Sequence, residues 1–174
     1  MPTIGIDYEK IEINEASIMV WVIGGRLGSR ALWQQYYDRM SALIFVVDSH
    51  DRDRVDQACE QLHLMANKDK LREKPILIFA NKQDLPDAMT LDELRDKLHL
   101  AKLNTNTKLR LQPASAIQNQ GLREGFKWLA NYIVEKIDPI KPIVETFNDT
   151  ITMKNDFMSI FNMVNLKTFL RKLI

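Results

Sequence analysis

Two hydrophobic periods alternate along this chain. Ile6, Tyr8, Ile11 and Ile13 are set among charged residues, Asn14-Glu15-Ala16-Ser17 reads as a turn, and Ile18 to Ile23 follow as an apolar run, which predicts an opening hairpin. Residues 42–47 (ALIFVV) and 75–80 (PILIFA) are continuous apolar runs, the pattern of parallel strands covered on both faces. Leu109-Arg110-Leu111 is a weaker strand. Helical spacing appears between and after them: Leu32, Trp33, Tyr36 and Tyr37; Val55, Cys59, Leu62 and Met65; Leu91, Leu94 and Leu98; then Leu122, Phe126, Leu129, Ile133 and Ile137. Thr90 and Glu93 have the spacing of a capping box, and Asp51 and Asp53 suit the positive end of the helix that follows. Strand and helix alternating after a hairpin predict an α/β fold with a mostly parallel sheet flanked by helices and joined by right-handed crossovers.

Pro139 and Pro142 end the last helical pattern and mark a boundary, giving a unit over 1–137 and an extension over 138–174. The extension carries Ile143-Val144, Ile151-Thr152-Met153 and a basic amphipathic stretch over 157–174, read as a helix laid on the domain or on a membrane surface. No apolar run reaches the ~20 residues of a spanning helix.

Composition narrows the choices. The 174 residues, 45% hydrophobic and 27% charged, suffice for a packed core, and the net charge of +1 excludes a broad polyanion-binding field, so nucleic acid is not an expected partner. One cysteine, Cys59, excludes an intramolecular disulfide and a cysteine zinc cage, and His50, His63 and His99 are too scattered for a ligand set. Cytoplasm is the expected compartment. Only six glycines occur, little material for a phosphate cradle.

The sharpest chemical signal is Asn81-Lys82-Gln83-Asp84, directly after a buried strand. Ligands of open α/β sheets sit beyond the carboxyl ends of the strands. A carboxylate there accepts two N–H donors of a purine edge, an amide both donates and accepts, and a lysine stem covers the ring. A polar turn is the plain alternative for a lone tetrapeptide.

Further motifs stand in order with it. Residues 1–137 resemble a small GTPase of the ADP-ribosylation factor (ARF/ARL) family. Pro2-Thr3-Ile4-Gly5 is similar to its switch I, Trp21-Val22-Ile23-Gly24-Gly25-Arg26 to the start of switch II and Asn81-Lys82-Gln83-Asp84 to its guanine motif. Leu43 to Ser49 with Asp51-Arg52 and Arg54-Val55 resemble the fourth strand and third helix, and Gly121-Leu122, Gly125 and Trp128-Leu129 the last helix. The resemblance implies a Ras-like fold of the P-loop NTPase type, GTP or GDP with Mg²⁺, effectors and regulators of the ARF type, a function in intracellular vesicle traffic, and a location at Golgi or other endomembranes.

Carried over residue by residue, it implies that Asn81 and Asp84 hold guanine, Lys82 packs on the ring, and Ser115-Ala116 offers a backbone N–H to the base carbonyl. Thr3 would meet Mg²⁺ and the terminal phosphate, and the Gly25 amide would sense that phosphate. Ile6, Trp21, Trp33 and Tyr36 match the effector surface, Ile6 replacing a family aromatic. By their spacing alone, the aromatic residues are read rather as core.

The resemblance begins inside switch I. The family's first strand and its Gly-x-x-x-x-Gly-Lys-Ser/Thr loop would precede Met1, so the domain is expected to be N-terminally truncated, and no Gly-Lys pair occurs in the sequence. Losing four charge-assisted hydrogen bonds at ~1.5 kcal/mol each removes ~6 kcal/mol, about 10⁴ in affinity, so nucleotide binding is expected to be weakened. Val22 stands where the family has the Mg²⁺-linked Asp, and Arg26 where it has the water-orienting Gln, so GTP hydrolysis is expected to be impaired. A strand absent between those at 18–23 and 42–48 would leave them to pair directly, to be bridged by the C-terminal extension, or to expose edges. Two alternatives stand beside the switch: a nucleotide-independent interaction module, and an incomplete gene product.

Overall fold

Strand β4 (Ile76–Asn81) is buried from end to end, because all of its residues but the last are apolar and each face is covered. In the computed structural model, which describes residues 6–13, 16–23, 33, 36–103, 106 and 108–137, β4 lies between β3 (Leu43–Asp48) and β5 (Leu109–Pro113), parallel to both. Leu43 is opposite Ile76, Asp48 opposite Asn81, and Ile76 opposite Leu109. This register brings the carboxyl ends of the three strands level.

Alternation along β4 divides the core. Ile76, Ile78 and Ala80 join a cluster with Val55, Cys59, Leu62 and Met65 of helix α1 (Val55–Ala66) and Leu94 of α2 (Leu91–Lys97). Leu77 and Phe79 join a second with Leu122, Phe126 and Leu129 of α3 (Leu122–Ile137). Apolar helix stripes thus cover a sheet whose middle strand faces no water. The α/β architecture with a parallel sheet flanked by helices agrees with the sequence pattern. Helix α2 starts on the expected capping box, with Glu93 N–H donating to Thr90 Oγ1 at 3.2 Å and Thr90 N–H to Glu93 Oε2 at 2.8 Å.

Strands β1 (Ile6–Ile13) and β2 (Ala16–Ile23) form the opening hairpin, with Tyr8 opposite Trp21 and Ile11 opposite Ile18. Its inner face, Ile11, Val20 and Val22, packs into the α3 cluster. The hairpin is a separate two-stranded sheet: among the described residues β2 pairs only with β1 and β3 only with β4, so direct pairing of the two does not occur. Residues 138–174, with the proposed bridging segment and the amphipathic stretch, lie outside the described residues. Of the aromatic helix pattern at 32–37, Tyr36 opens a short turn over 36–39, with Arg39 and Met40 N–H donating to Tyr36 O.

The turn from β5 into α3 depends on Gly121, at φ +73°. A Cβ there would sit 1.9 Å from the Pro113 carbonyl oxygen, which cannot yield without moving β5. Gly121→Ala should therefore destabilise the domain by roughly 2 kcal/mol or more, read as a lower denaturation midpoint with unchanged slope.

Candidate functional site

The level strand ends are tied together by backbone bonds. Ser49 N–H donates to Asn81 O at 2.9 Å, Met89 N–H to Ser49 O at 2.7 Å, Ala114 N–H to Ala80 O at 2.9 Å and Gln83 N–H to Ala114 O at 3.1 Å. Gln83 Nε2 adds a bond to Met89 O at 3.0 Å. The Asn81–Asp84 turn is therefore a clamped platform between β3 and β5, where a crossover sheet presents side chains to a ligand.

Asn81 is 2% exposed. Its Oδ1 accepts the Ala116 N–H at 3.0 Å, and its Nδ2, equally buried, has no partner among the described residues. A buried donor without an acceptor costs about 1–3 kcal/mol, so this amide is poised to donate to an added group. The Ala116 amide, in the Ser115-Ala116 pair expected to offer a backbone N–H to a base carbonyl, is the donor of that bond. Ser115 is buried and closes the neighbouring loop: its backbone exchanges two 3.0 Å bonds with Gln120, and its Oγ accepts the Gln118 N–H at 3.1 Å. Its contribution is to shape the loop.

Lys82 takes a left-handed φ of +68°, a strained conformation for a side-chain-bearing residue. Its ammonium pairs with Asp48 Oδ2 at 2.6 Å, each side chain about a quarter exposed. Asp84 is half-buried, and no hydrogen bond or ion pair engages its carboxylate among the described residues. A carboxylate and an amide donor three positions apart in sequence, neither engaged among the described residues, match the donor and acceptor edge of a purine.

The acidic residues before α1 act differently from a simple cap. Arg54 is the N-cap residue and its side chain makes no capping bond. Asp51 accepts both the Arg54 N–H at 3.0 Å and its Nε, while Asp48 is engaged by Lys82 and, through Oδ1, by the His50 N–H at 3.0 Å. His99 Nδ1 lies 3.4 Å from Cys59 Sγ and His63 Nε2 2.9 Å from Leu98 O, so these side chains tie α1 to the end of α2. No group of three metal-ligating residues occurs among the described residues.

A second feature lies on the hairpin's outer face. Trp21 is 53% exposed, contrary to the core position inferred from aromatic spacing. Its ring lies 5.6 Å from Tyr36 on one side and 5.6 Å from Tyr8 on the other. Trp33 is half-buried against the α1 cluster. Tyr8 was not singled out from the sequence, although the hairpin register sets it opposite Trp21. Thr3, Gly25, Arg26 and the Ile6 side chain lie outside the described residues, and Val22 is buried in the α3 cluster, its side chain turned to the core.

A family model described as the ADP-ribosylation factor family matches residues 1–133. The chain belongs to the ADP-ribosylation factor family. Its fold is similar to that of the Arl6 (BBS3) small GTPase of Trypanosoma brucei, solved with the nucleotide analogue GppNp: 32% identity, a TM-score of 0.73, and coverage of 78% of this chain and 83% of that one. The fold of this ARF-family chain is therefore that of a Ras-like small GTPase. No described helix is long and apolar enough to cross a membrane.

The Arg54 hydrogen bond holds the Asp51 carboxyl below the usual aspartate range. Because the folded pKa is the lower one, the stabilisation is complete above the unfolded pKa and is lost as pH falls through the folded one. A carbon-detected carboxyl titration should place Asp51 below ordinary aspartates, and Arg54→Ala should move it back toward the ordinary value.

Proposed function

We propose that this ARF-family chain is a guanine-binding regulator of intracellular vesicle traffic, with a base-reading corner formed by Asn81, Lys82 and Asp84 and with weakened phosphate handling. The observation that carries it is the buried Asn81 Nδ2 at the end of β4, without a partner among the described residues, three positions before Asp84 in the same turn. Asn81 Nδ2 donates to a ring nitrogen of guanine and Asp84 accepts its N–H donors, while the Lys82 stem lies along the ring. The Ser115–Gln120 loop walls the base, held in place through the Ala116–Asn81 bond.

Thr3 and the Gly25 amide contribute contacts to phosphate and Mg²⁺. With Val22 in place of the Mg²⁺-linked carboxylate, magnesium contributes little to affinity. Arg26 has no acceptor with which to orient an attacking water, so GTP hydrolysis is slow. Effectors and regulators of the ARF type meet the surface around Trp21 and Tyr36, and the protein works in the cytoplasm or at the face of Golgi or other endomembranes.

The exposed Tyr8 and Trp21, with the half-buried Tyr36 beside Trp21, support a second reading, a module that holds protein partners without nucleotide.

Titration of the full chain with a fluorescent GDP analogue separates the two. The guanine reading expects micromolar dissociation and a loss of at least ~10-fold in Asp84→Ala, since charge-assisted bonds contribute ~1.5–3 kcal/mol each. Absence of binding below millimolar concentration favours the module.

A further inference from the structure

Tyr36 and Tyr37 are adjacent in sequence and serve different neighbours. The Tyr36 ring lies 5.6 Å from the exposed ring of Trp21, while Tyr37 is buried in the α1 cluster. The short turn over 36–39 therefore joins the aromatic surface to the core, and whatever fixes that turn fixes the place of the Tyr36 ring. Two lysines of the loop between α1 and β4 reach it. Lys74 Nζ donates to the Tyr37 carbonyl oxygen at 2.8 Å, and Lys70 pairs with Asp38.

The two contacts differ in weight. Both side chains of the Lys70–Asp38 pair are more than half exposed, and ion pairs so placed contribute little because water and salt screen them. The Lys74 bond is partly buried and joins a charged donor to a backbone carbonyl, the stronger kind of hydrogen bond. Its donor is also held at the root. Lys74 N–H donates to Leu71 O at 3.0 Å, and Leu71 is fully buried in the same cluster as Tyr37. The next residue, Pro75, accepts the Leu43 N–H at 3.0 Å. Lys74 and Pro75 thus grip the chain at Tyr37 and at Leu43, the start of β3, and the segment carrying the turn is pinned at both ends.

We propose that Lys74 is a positioning residue of the aromatic surface: through the Tyr37 carbonyl it holds the turn so that the Tyr36 ring stays against Trp21. This rests on the reading of that surface as the face that meets protein partners, and deepens it by naming the side chain that keeps it in shape.

The test uses the full chain labelled with fluorinated tryptophan, whose three resonances, Trp21, Trp33 and Trp128, are each assigned by a Trp→Phe substitution. Tyr36→Leu sets the scale, as the shift of the Trp21 resonance when its neighbouring ring is lost. Lys74→Met keeps the aliphatic stem and removes the ammonium. It should move the Trp21 resonance in the same direction by at least about half that scale, leave Trp128 in place, and add no further shift on top of Tyr36→Leu, as coupled residues do. Lys74→Arg should restore the parent position, and Asp38→Asn should not move it. Should Lys74→Met fail to fold, Lys74→Gln is read by the same criteria. A Trp21 resonance that stays in place without the ammonium, that moves together with Trp128, or that responds equally to Asp38→Asn overturns the proposal. The spectra contain no partner, so a result against Lys74 leaves the partner reading intact, and failure of that reading leaves the Lys74 result standing.

Discussion

The hydrogen bond from the Ala116 amide to Asn81 Oδ1 is the tie on which the candidate site depends. It joins the last residue of the fully buried central strand to the loop that follows β5, and so fixes the loop relative to the sheet. With Oδ1 occupied, the Asn81 side chain has one orientation, and its Nδ2 is left as a buried donor. A buried donor left unsatisfied costs about 1–3 kcal/mol. One bond thus sets loop position and side-chain direction together.

The neighbouring Lys82–Asp48 pair works on charge in the same corner. Both arise from the level register of β3 and β4, which places Asp48 opposite Asn81. The strained φ of Lys82 lets consecutive residues face different elements: Asn81 toward the 115–120 loop and Lys82 toward β3. The glycine that permits the sharp turn into α3, Gly121, holds the other side of that loop. The aromatic series on the hairpin is a separate surface, connected to the corner through the core around α3.

Much of this was legible in the sequence. Continuous apolar runs such as Ile76 to Ala80 can be buried on both faces only in a parallel sheet, and the alternation at Ile6 to Ile13 needs one wet face, so element types followed from period. Strand ends were off by a residue because Asp48 and Asn81 are polar yet still paired in the ladder. Thr90 and Glu93 could be read as a cap because their contacts are local. Neither the Asp48–Lys82 pair, 34 residues apart, nor the Ala116–Asn81 bond, 35 residues apart, is visible in the sequence, because only the parallel register brings the strand ends level. Spacing alone reads Trp21 as core, yet it is exposed, because spacing shows which residues share a face while the packing of Ile11, Val20 and Val22 shows which face is inside. Tyr8 is set opposite Trp21 by the observed register, which a turn read over 14–17 does not give.

The central claim is that the buried Asn81 amide is waiting for a purine acceptor. The most direct measurement is the side-chain amide resonance of Asn81 in a nitrogen-proton correlation spectrum, assigned with Asn81→Asp and followed as guanosine or adenosine is added. The account predicts that guanosine moves this resonance together with the backbone amides of Asp84 and Ala116, and that adenosine at equal concentration does not. An Asn81 signal that stays in place while guanosine shifts residues elsewhere, or that responds equally to both nucleosides, contradicts it.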